Sequence, residues 1–355
     1  MDIALLEREP VLAVCGWSGS GKTTVLEKVI PLLVKSGLRV AVVKHDAHGV
    51  DIDREGKDSA RFFAAGADVH LQAPEEQMCR LRRRPEDCLA RTISGLLATH
   101  DLVLVEGHKE TPLSKVWCHS NGEEEVPDGV SGIKATLPWH GDRATALVSI
   151  AEERIREAVA GRPLFGGILI GGESRRMGLP KHTVSVGGRS LLSMVAAVLR
   201  SQTERIVVLG RGDTPDDTGP LDQLRDAPGS GQGPLAGLLT AFRWAPRVCW
   251  VVGACDMPGI SAEALAWVID QRQPGCWAVI PRDAEGRMQP TLAVYEPQAG
   301  ALINTLVARG SRAPRALAQW SEIHTPTIPG ALSQAWLNVN TPGELQAFRE
   351  SSGSS

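Results

Sequence analysis

At 355 residues, with 43% hydrophobic and 22% charged side chains, the chain has the composition of a globular protein and the length of two domains. A formal net charge of -3 excludes any global attraction to nucleic acid or to an anionic membrane, so phosphate chemistry must come from local cations. The seven cysteines (Cys15, Cys79, Cys88, Cys118, Cys249, Cys255 and Cys276) show no C-x-x-C pair and no zinc-like spacing. Their odd number and apolar surroundings predict reduced thiols in a cytoplasmic protein. No apolar run approaches the length of a membrane span, and the first ten residues carry acids where a secretion signal needs basic side chains.

In chain order, an apolar strand over residues 11–15 runs directly into Gly16-Trp17-Ser18-Gly19-Ser20-Gly21-Lys22-Thr23. This fits G-x-x-x-x-G-K-[ST] in its required context, because an amphipathic helix over residues 24–34 follows. The glycines let successive backbone N–H groups wrap phosphates at a helix N-terminus. Lys22 would reach the β- and γ-phosphates and Thr23 would ligate Mg²⁺, with Thr24 next to them. A second strand, residues 40–44, opens into His45-Asp46-Ala47-His48-Gly49-Val50-Asp51-Ile52-Asp53. That segment is either a metal cluster or a polar loop at the carboxyl edge of the sheet, where ligands bind in any case.

A helix is predicted from Gly56-Lys57-Asp58-Ser59 through Ala65, capped by Asp58 or Ser59. Arg80, Arg82, Arg83 and Arg84 read as a solvated face or a phosphate-facing cluster. A buried strand over residues 102–105 ends in Glu106-Gly107. Glu106 is thus placed where a carboxylate holds Mg²⁺ opposite the P-loop, while Asp101 lies at the wrong end.

Together, residues 16–24, Lys44-His45-Asp46, Gly56-Lys57-Asp58-Ser59 and Leu104-Val105-Glu106-Gly107-His108-Lys109 resemble MobB over about residues 10–158. That family is the GTP-binding adapter of molybdopterin guanine dinucleotide synthesis. The resemblance implies GTP binding with weak hydrolysis at most, and association with the guanylyltransferase MobA. A kinase or switch GTPase is the competing reading, and the N/T-K-x-D base-recognition motif of switch GTPases is missing from the sequence.

Helical periodicity over residues 151–160 stops at Gly161-Arg162-Pro163. An apolar run ending at Ile170 then leads into Gly171-Gly172-Glu173-Ser174-Arg175-Arg176-Met177-Gly178-Leu179-Pro180-Lys181. Here a buried strand enters a loop whose backbone can approach a ligand closely, with Arg175, Arg176 and Lys181 suited to a polyphosphate. A turn at Gly187-Gly188, a helix over residues 190–199 and a strand over residues 206–209 follow. Asp226 precedes a glycine-rich loop that includes Gly233-Pro234-Leu235-Ala236-Gly237 and enters a helix; it is either a connector or a backbone cradle for a flat ligand. A buried strand over residues 250–254 ends in Cys255-Asp256-Met257-Pro258, making Asp256 either a metal ligand or a helix cap. Strand 292–295 comes next. Finally, a short strand within residues 336–340 is predicted before a helix capped by Thr341 with Glu344 three residues on.

The pieces Gly171-Gly172, Arg175/Arg176-Met177-Gly178, Lys181, Gly233-Pro234-Leu235-Ala236-Gly237, Cys255-Asp256-Met257-Pro258, Gln289-Pro290-Thr291 and Asn338-Val339-Asn340-Thr341-Pro342 resemble MobA, the molybdenum cofactor guanylyltransferase, over about residues 165–350. Two departures stand out: Ile170 replaces an alanine, and Pro180-Lys181 replaces Asp-Lys, as in related cytidylyltransferases. The resemblance implies GMP transfer from GTP to molybdopterin with pyrophosphate release. It assigns Mg²⁺ to Asp256, with Asp226 as an additional ligand, and the triphosphate to Lys181, Arg175 and Arg176. Ile170, Gly171 and Gly172 would give close backbone approach, residues 233–237 would line guanine, and Asn338 and Asn340 would face the pterin.

The predicted architecture is α/β in two domains: a P-loop parallel-sheet domain (1–160), then a Rossmann-like nucleotidyltransferase with a doubly wound, mostly parallel sheet (161–350), and a polar tail (351–355). Partners implied are GTP, molybdopterin, a molybdenum-insertion protein and molybdoenzyme apoproteins, with neither nucleic acid nor membrane, and a homodimer as one assembly. Alternatives are a cytidylyltransferase or sugar-nucleotide pyrophosphorylase, and a non-catalytic GTP-sensing carrier or scaffold.

Overall fold

The computed structural model describes residues 3–45, 56–122, 125–171, 179–226, 229 and 233–352. Its contacts divide the chain into two units: residues 1–36, 40–97 and 102–154 form the first, and residues 37–39, 98–101 and 155–355 the second.

The first unit is built on five parallel strands: β1 (Val11–Cys15), β2 (Val40–Lys44), and, after β3 and β4, β5 (Leu102–Glu106), β6 (Lys115–Cys118) and β7 (Ile133–Leu137), in the order β2-β5-β1-β6-β7. β3 (Val69–Gln72) and β4 (Gln77–Arg80) form a separate antiparallel hairpin. The apolar runs of β1 and β5 are fully buried, as strands covered on both faces must be. Helix α1 (Lys22–Lys35) buries Val25, Leu26, Val29 and Leu33, while α2 (Asp58–Ala64) buries none of its residues. From α3 (Leu89–Leu97), Ile93 and Leu97 pack with Val11, Ala13, Cys15, Val103 and Val105.

Several boundaries differ from expectation. Helix α1 starts at Lys22, so the lysine and threonine of the P-loop lie in its first turn. In α2 the cap position is Lys57, without a side-chain bond, and Asp58 is already helical. Helix α4 (Arg143–Ala160) begins eight residues before the expected 151. Its early start has a cause: Asp142 accepts from the Thr145 N–H at 3.1 Å, and Leu147, Ala151, Ile155 and Ala158 are buried along one face. Of the arginines 80, 82, 83 and 84, Arg80 and Arg82 lay their guanidinium groups over the Phe63 ring, and Arg84 pairs with Asp68.

The second unit comprises β8 (Leu164–Leu169), the hairpin β9 (Ser185–Val186) and β10 (Arg189–Ser190), α5 (Leu191–Arg200), β11 (Arg205–Leu209), β12 (Asp222–Leu224), α6 (Pro234–Trp244), β13 (Cys249–Ala254), α7 (Ala262–Asp270), β14 (Ala278–Val279), β15 (Leu292–Tyr295), α8 (Ala299–Ala308), β16 (Ile323–His324) and α9 (Pro342–Ser352). Its seven-stranded sheet has the order β12-β11-β8-β13-β15-β14-β16. The first four strands are parallel, and β15 runs antiparallel to both its neighbours, so the sheet is mixed. Side chains alternate between two cores. Ile206, Val208 and Val251 meet α5 and α7 on one face, while Val207, Leu209 and Val252 meet α6 and α8 on the other. The sheet is therefore doubly wound.

Ile170 lies just beyond β8, although its N–H still reaches the Leu209 carbonyl at 2.9 Å. The strand expected within residues 336–340 does not form. A 3-10 helix (Gly330–Trp336) leads instead into extended chain, where the Val339 N–H bonds the Asp256 carbonyl at 2.8 Å without a ladder.

Candidate functional site

The P-loop follows β1 at the carboxyl end of the first sheet, between the diverging connections to β5 and β6, where open α/β sheets bind ligands. At Gly16 φ is +147°, and an added Cβ would lie 2.4 Å from the Cys118 carbonyl oxygen and 2.5 Å from Ser20 Oγ, so no other residue fits that turn. Lys22 Nζ curls over the loop and donates to the carbonyls of Gly16 (3.0 Å) and Trp17 (2.7 Å). Across the sheet edge, Thr23 Oγ1 donates to Glu106 Oε1 at 2.9 Å. These two residues, 83 positions apart, supply an oxygen-only donor set that suits a hard cation such as Mg²⁺. Ser20 Oγ is buried and has no hydrogen-bond partner among the described residues. Ser18, Gly19 and Gly21 complete the loop, and Thr24 is exposed beside it.

Two residues that no motif flags hold this site in shape. Lys115 is fully buried, and its Nζ donates to the carbonyls of Thr111, Leu113 (3.0 Å) and Ser131 (2.9 Å), tying down the segment after Glu106. Burial pulls its pKa below the ordinary lysine value, against the opposing pull of Cys15. Arg143 donates to the carbonyls of Ser20 (2.8 Å), Leu137 (2.9 Å), Pro138 (2.6 Å) and His119, fastening the P-loop to the segment after β7. A lysine inside a strand and an arginine at a helix start carry no signal in sequence; only their acceptors, all backbone, reveal the role.

In the second unit, Lys181 opens a 3-10 turn (Lys181–Thr183). Its Nζ donates to Asp256 Oδ2 at 2.8 Å and to Asn340 Oδ1 at 2.6 Å. The lysine and aspartate side chains are only 19% and 18% exposed, so their charges act in a partly desolvated setting. Asp256 follows β13, at the carboxyl end of the parallel strands. Glu344 holds the third corner: its Oε2 accepts from the backbone N–H of Asn340 (2.6 Å) and Thr341 (3.1 Å), and Thr341 Oγ1 accepts from the Glu344 N–H at 3.2 Å. This is the expected capping box. The Asn340 N–H above all, with the nearby Lys181 charge adding to it, holds the Glu344 carboxyl below its ordinary range.

Other predicted residues are distributed more widely. Gly171 has φ +116°, and no described residue lies within 4 Å of where a Cβ would stand. The side chains of Leu235 and Ala236 are fully buried. Gly237 is packed against β8 and β11, with Leu169 Cδ2 at 3.0 Å from a would-be Cβ. Of the five residues expected to line the base, only Gly233 and Pro234 are exposed; Leu235, Ala236 and Gly237 are buried in the packing of α6 against the sheet and do not line a base. Asn338 is exposed and lines a cavity of about 740 Å³ with Leu337, Val339, Glu344 and Phe348. Asp226 follows edge strand β12, and burial raises its pKa against the pull of Arg211. Two strands, β11 and β8, separate β12 from β13, a span of roughly 14 Å. Joint ligation of one cation by Asp226 and Asp256 therefore has no support in the sheet order. Among the described residues, no group of three or more His, Cys, Asp or Glu is arranged to hold a metal ion. Gly172, Arg175 and Arg176 lie outside the described residues, as does the 46–53 part of the proposed metal segment.

The class is thereby defined: a P-loop nucleotide-binding unit joined to a doubly wound α/β unit with a lysine–aspartate centre at its strand ends. The profile of the MobB family, described as molybdopterin guanine dinucleotide synthesis protein B, matches residues 11–135, and that of the MobA-like NTP transferase domain matches residues 166–324. The molybdopterin-guanine dinucleotide biosynthesis adapter protein of Haemophilus influenzae is 38% identical over 142 residues, covering 38% of this chain and 79% of that protein. Its Escherichia coli namesake is 35% identical over 123 residues, covering 34% of this chain and 70% of that protein. A protein of Bacillus cereus named "Probable molybdenum cofactor guanylyltransferase" is 30% identical over 194 residues, covering 52% of this chain and 96% of that protein. The chain belongs to the MobB family through its first part and to the MobA-like NTP transferase family through its second.

Proposed function

We propose that the chain is a molybdenum cofactor guanylyltransferase fused to its GTP-binding adapter, with domain limits near residues 160 and 350. In the second domain the terminal phosphate of molybdopterin attacks the α-phosphorus of GTP. The bond to the α–β bridging oxygen breaks, and pyrophosphate leaves with the electron pair. The nucleophile is already an anion, so a strong general base is unnecessary; the barrier lies in bringing two anions together and stabilising the leaving group. The observation that carries this reading is the convergence of Lys181, Asp256 and Asn340. Lys181, with Arg175 and Arg176, neutralises the triphosphate, and Gly171 and Gly172 let the backbone approach it. Asp226 and the entry to α6 serve the nucleoside, and Asn338 with Asn340 the pterin. Mg²⁺ held by Asp256 would neutralise phosphate oxygens.

In the first domain, Lys22 and the P-loop N–H groups bind a second nucleotide, with Thr23 and Glu106 as the fitting residues for Mg²⁺. Five buried free thiols are consistent with a cytoplasmic setting, and molybdoenzyme apoproteins are the natural recipients of the product. The test is pyrophosphate release from purified protein, Mg²⁺ and molybdopterin with GTP or CTP. Release with GTP that disappears in Asp256→Ala supports the guanylyltransferase. Release with CTP instead would favour the cytidylyltransferase reading, to which Pro180-Lys181 points. Release with neither, despite tight GTP binding, would leave a carrier.

A further inference from the structure

The first unit contains a cavity of about 280 Å³ that the P-loop motif does not account for. One wall is Gly21, Thr24 and Lys28 from the start of α1; the other is Trp139, Asp142 and Arg143, following β7. Its place in the sheet gives it meaning. Thr23 and Glu106 mark the β5 side of β1, whereas the cavity lies toward β6 and β7, and the strand order is β5-β1-β6-β7. A nucleotide with its β- and γ-phosphates at Lys22 and Thr23 brings its α-phosphate to Thr24. Its nucleoside then continues away from Glu106, into this cavity.

The walls have suitable chemistry. Trp139 is 38% exposed and offers an indole ring, with the Arg143 guanidinium 5.3 Å from the ring centroid. Arg143 also bonds Ser20 on the P-loop and Leu137 and Pro138 beside the indole, so the two walls are pre-set relative to each other. Asp142 accepts from Thr145 N (3.1 Å) and Oγ1 (2.6 Å). The Ala144 N–H is a third donor to this carboxylate; with about four lone-pair directions on its two oxygens, acceptor capacity remains. Guanine presents N1–H and an amino group side by side, which matches such an acceptor; adenine presents a lone pair at N1 and does not.

We propose that this cavity is the nucleobase subsite of the P-loop nucleotide, with Trp139 stacking the base and Asp142 accepting from the N1–H and amino group of guanine. The inference rests on the P-loop reading of the first domain and adds the residues that choose the base.

The test uses the full chain and a fluorescent N-methylanthraniloyl-GTP probe, scoring only the binding component that disappears in Lys22→Ala. Trp139→Ala is expected to weaken that component by about tenfold or more, with Trp139→Phe restoring most of it. Asp142→Asn keeps a good helix cap and is expected to lower GTP affinity about tenfold while raising competition by xanthosine triphosphate, whose C2 carbonyl accepts from the amide. Unchanged affinity in Trp139→Ala and Asp142→Asn, or ATP competing as well as GTP in the unsubstituted chain, overturns the proposal. Absence of any Lys22-dependent component overturns the P-loop reading beneath it, a distinct result.

Discussion

Lys181 Nζ and Asp256 Oδ2, 75 positions apart in sequence, meet at 2.8 Å in the second unit, and Asn340 Oδ1 completes the contact at 2.6 Å. The pair links the 3-10 turn after β8 to the strand end of β13. It holds a cation and a carboxylate together at the carboxyl end of the parallel strands.

Asp256→Ala is expected to lower guanylyl transfer by about 10²–10³, as removal of an electrostatic group at a reacting phosphate does. The side chain is part-exposed, so the thermal unfolding profile should stay close to that of the parent chain. Product formation near the parent rate would sink the assignment.

Glu106→Gln preserves an acceptor for the Thr23 hydroxyl but removes the charge that would hold a cation. The Mg²⁺ concentration needed for half-maximal nucleotide binding in the first domain should rise about tenfold or more. An unchanged Mg²⁺ titration would show that Glu106 is not a ligand.

Glu296 is 5% exposed at its side chain and accepts from Arg162 Nη1 and Arg272 Nε, both at 2.7 Å. Glu296→Ala would leave two buried guanidinium groups without their counter-charge, a loss of about 3–5 kcal/mol. Denaturant unfolding followed by tryptophan fluorescence should show the second domain unfolding early. A shift below about 1 kcal/mol would mean that water or carbonyls replace the carboxylate.

His182 is buried beside Gly212, and that burial pushes its pKa below the ordinary imidazole value of about 6.5, outweighing the upward pull of Asp213. Between the lowered native value and about 6.5 the unfolded chain binds the proton and the native chain does not, so stability falls as pH drops through that window. Melting curves between pH 7.5 and 5.5 should show this loss, and His182→Gln should reduce the slope. An identical slope in the variant would assign the acid sensitivity to other groups.

How much of this was legible varies from element to element. The strands Val11–Cys15, Val40–Lys44 and Leu292–Tyr295 were predictable to the residue because each is a short apolar run bounded by polar or turn-forming residues. The early part of α4, Arg-Ala-Thr-Ala-Leu-Val-Ser-Ile, carries β-branched residues that hide its helical face, and the Asp142 cap became visible only with the fold. Residues 336–340 looked like a strand because Trp, Leu and Val alternate with Asn, but they find no partner ladder.

The sequence by itself determined the two α/β units and the P-loop, because glycine spacing and apolar periodicity are local properties of the chain, and its resemblance to MobA singled out Lys181, Asp256 and Asn340. Tertiary structure alone decided which side chains meet. It brought Thr23 to Glu106 and Lys181 to Asp256, buried Leu235 and Ala236, and made anchors of Lys115 and Arg143. The reason is physical: a hydrogen bond across 75 or 83 residues depends on strand order, and strand order is set by packing of both sheet faces rather than by any local pattern.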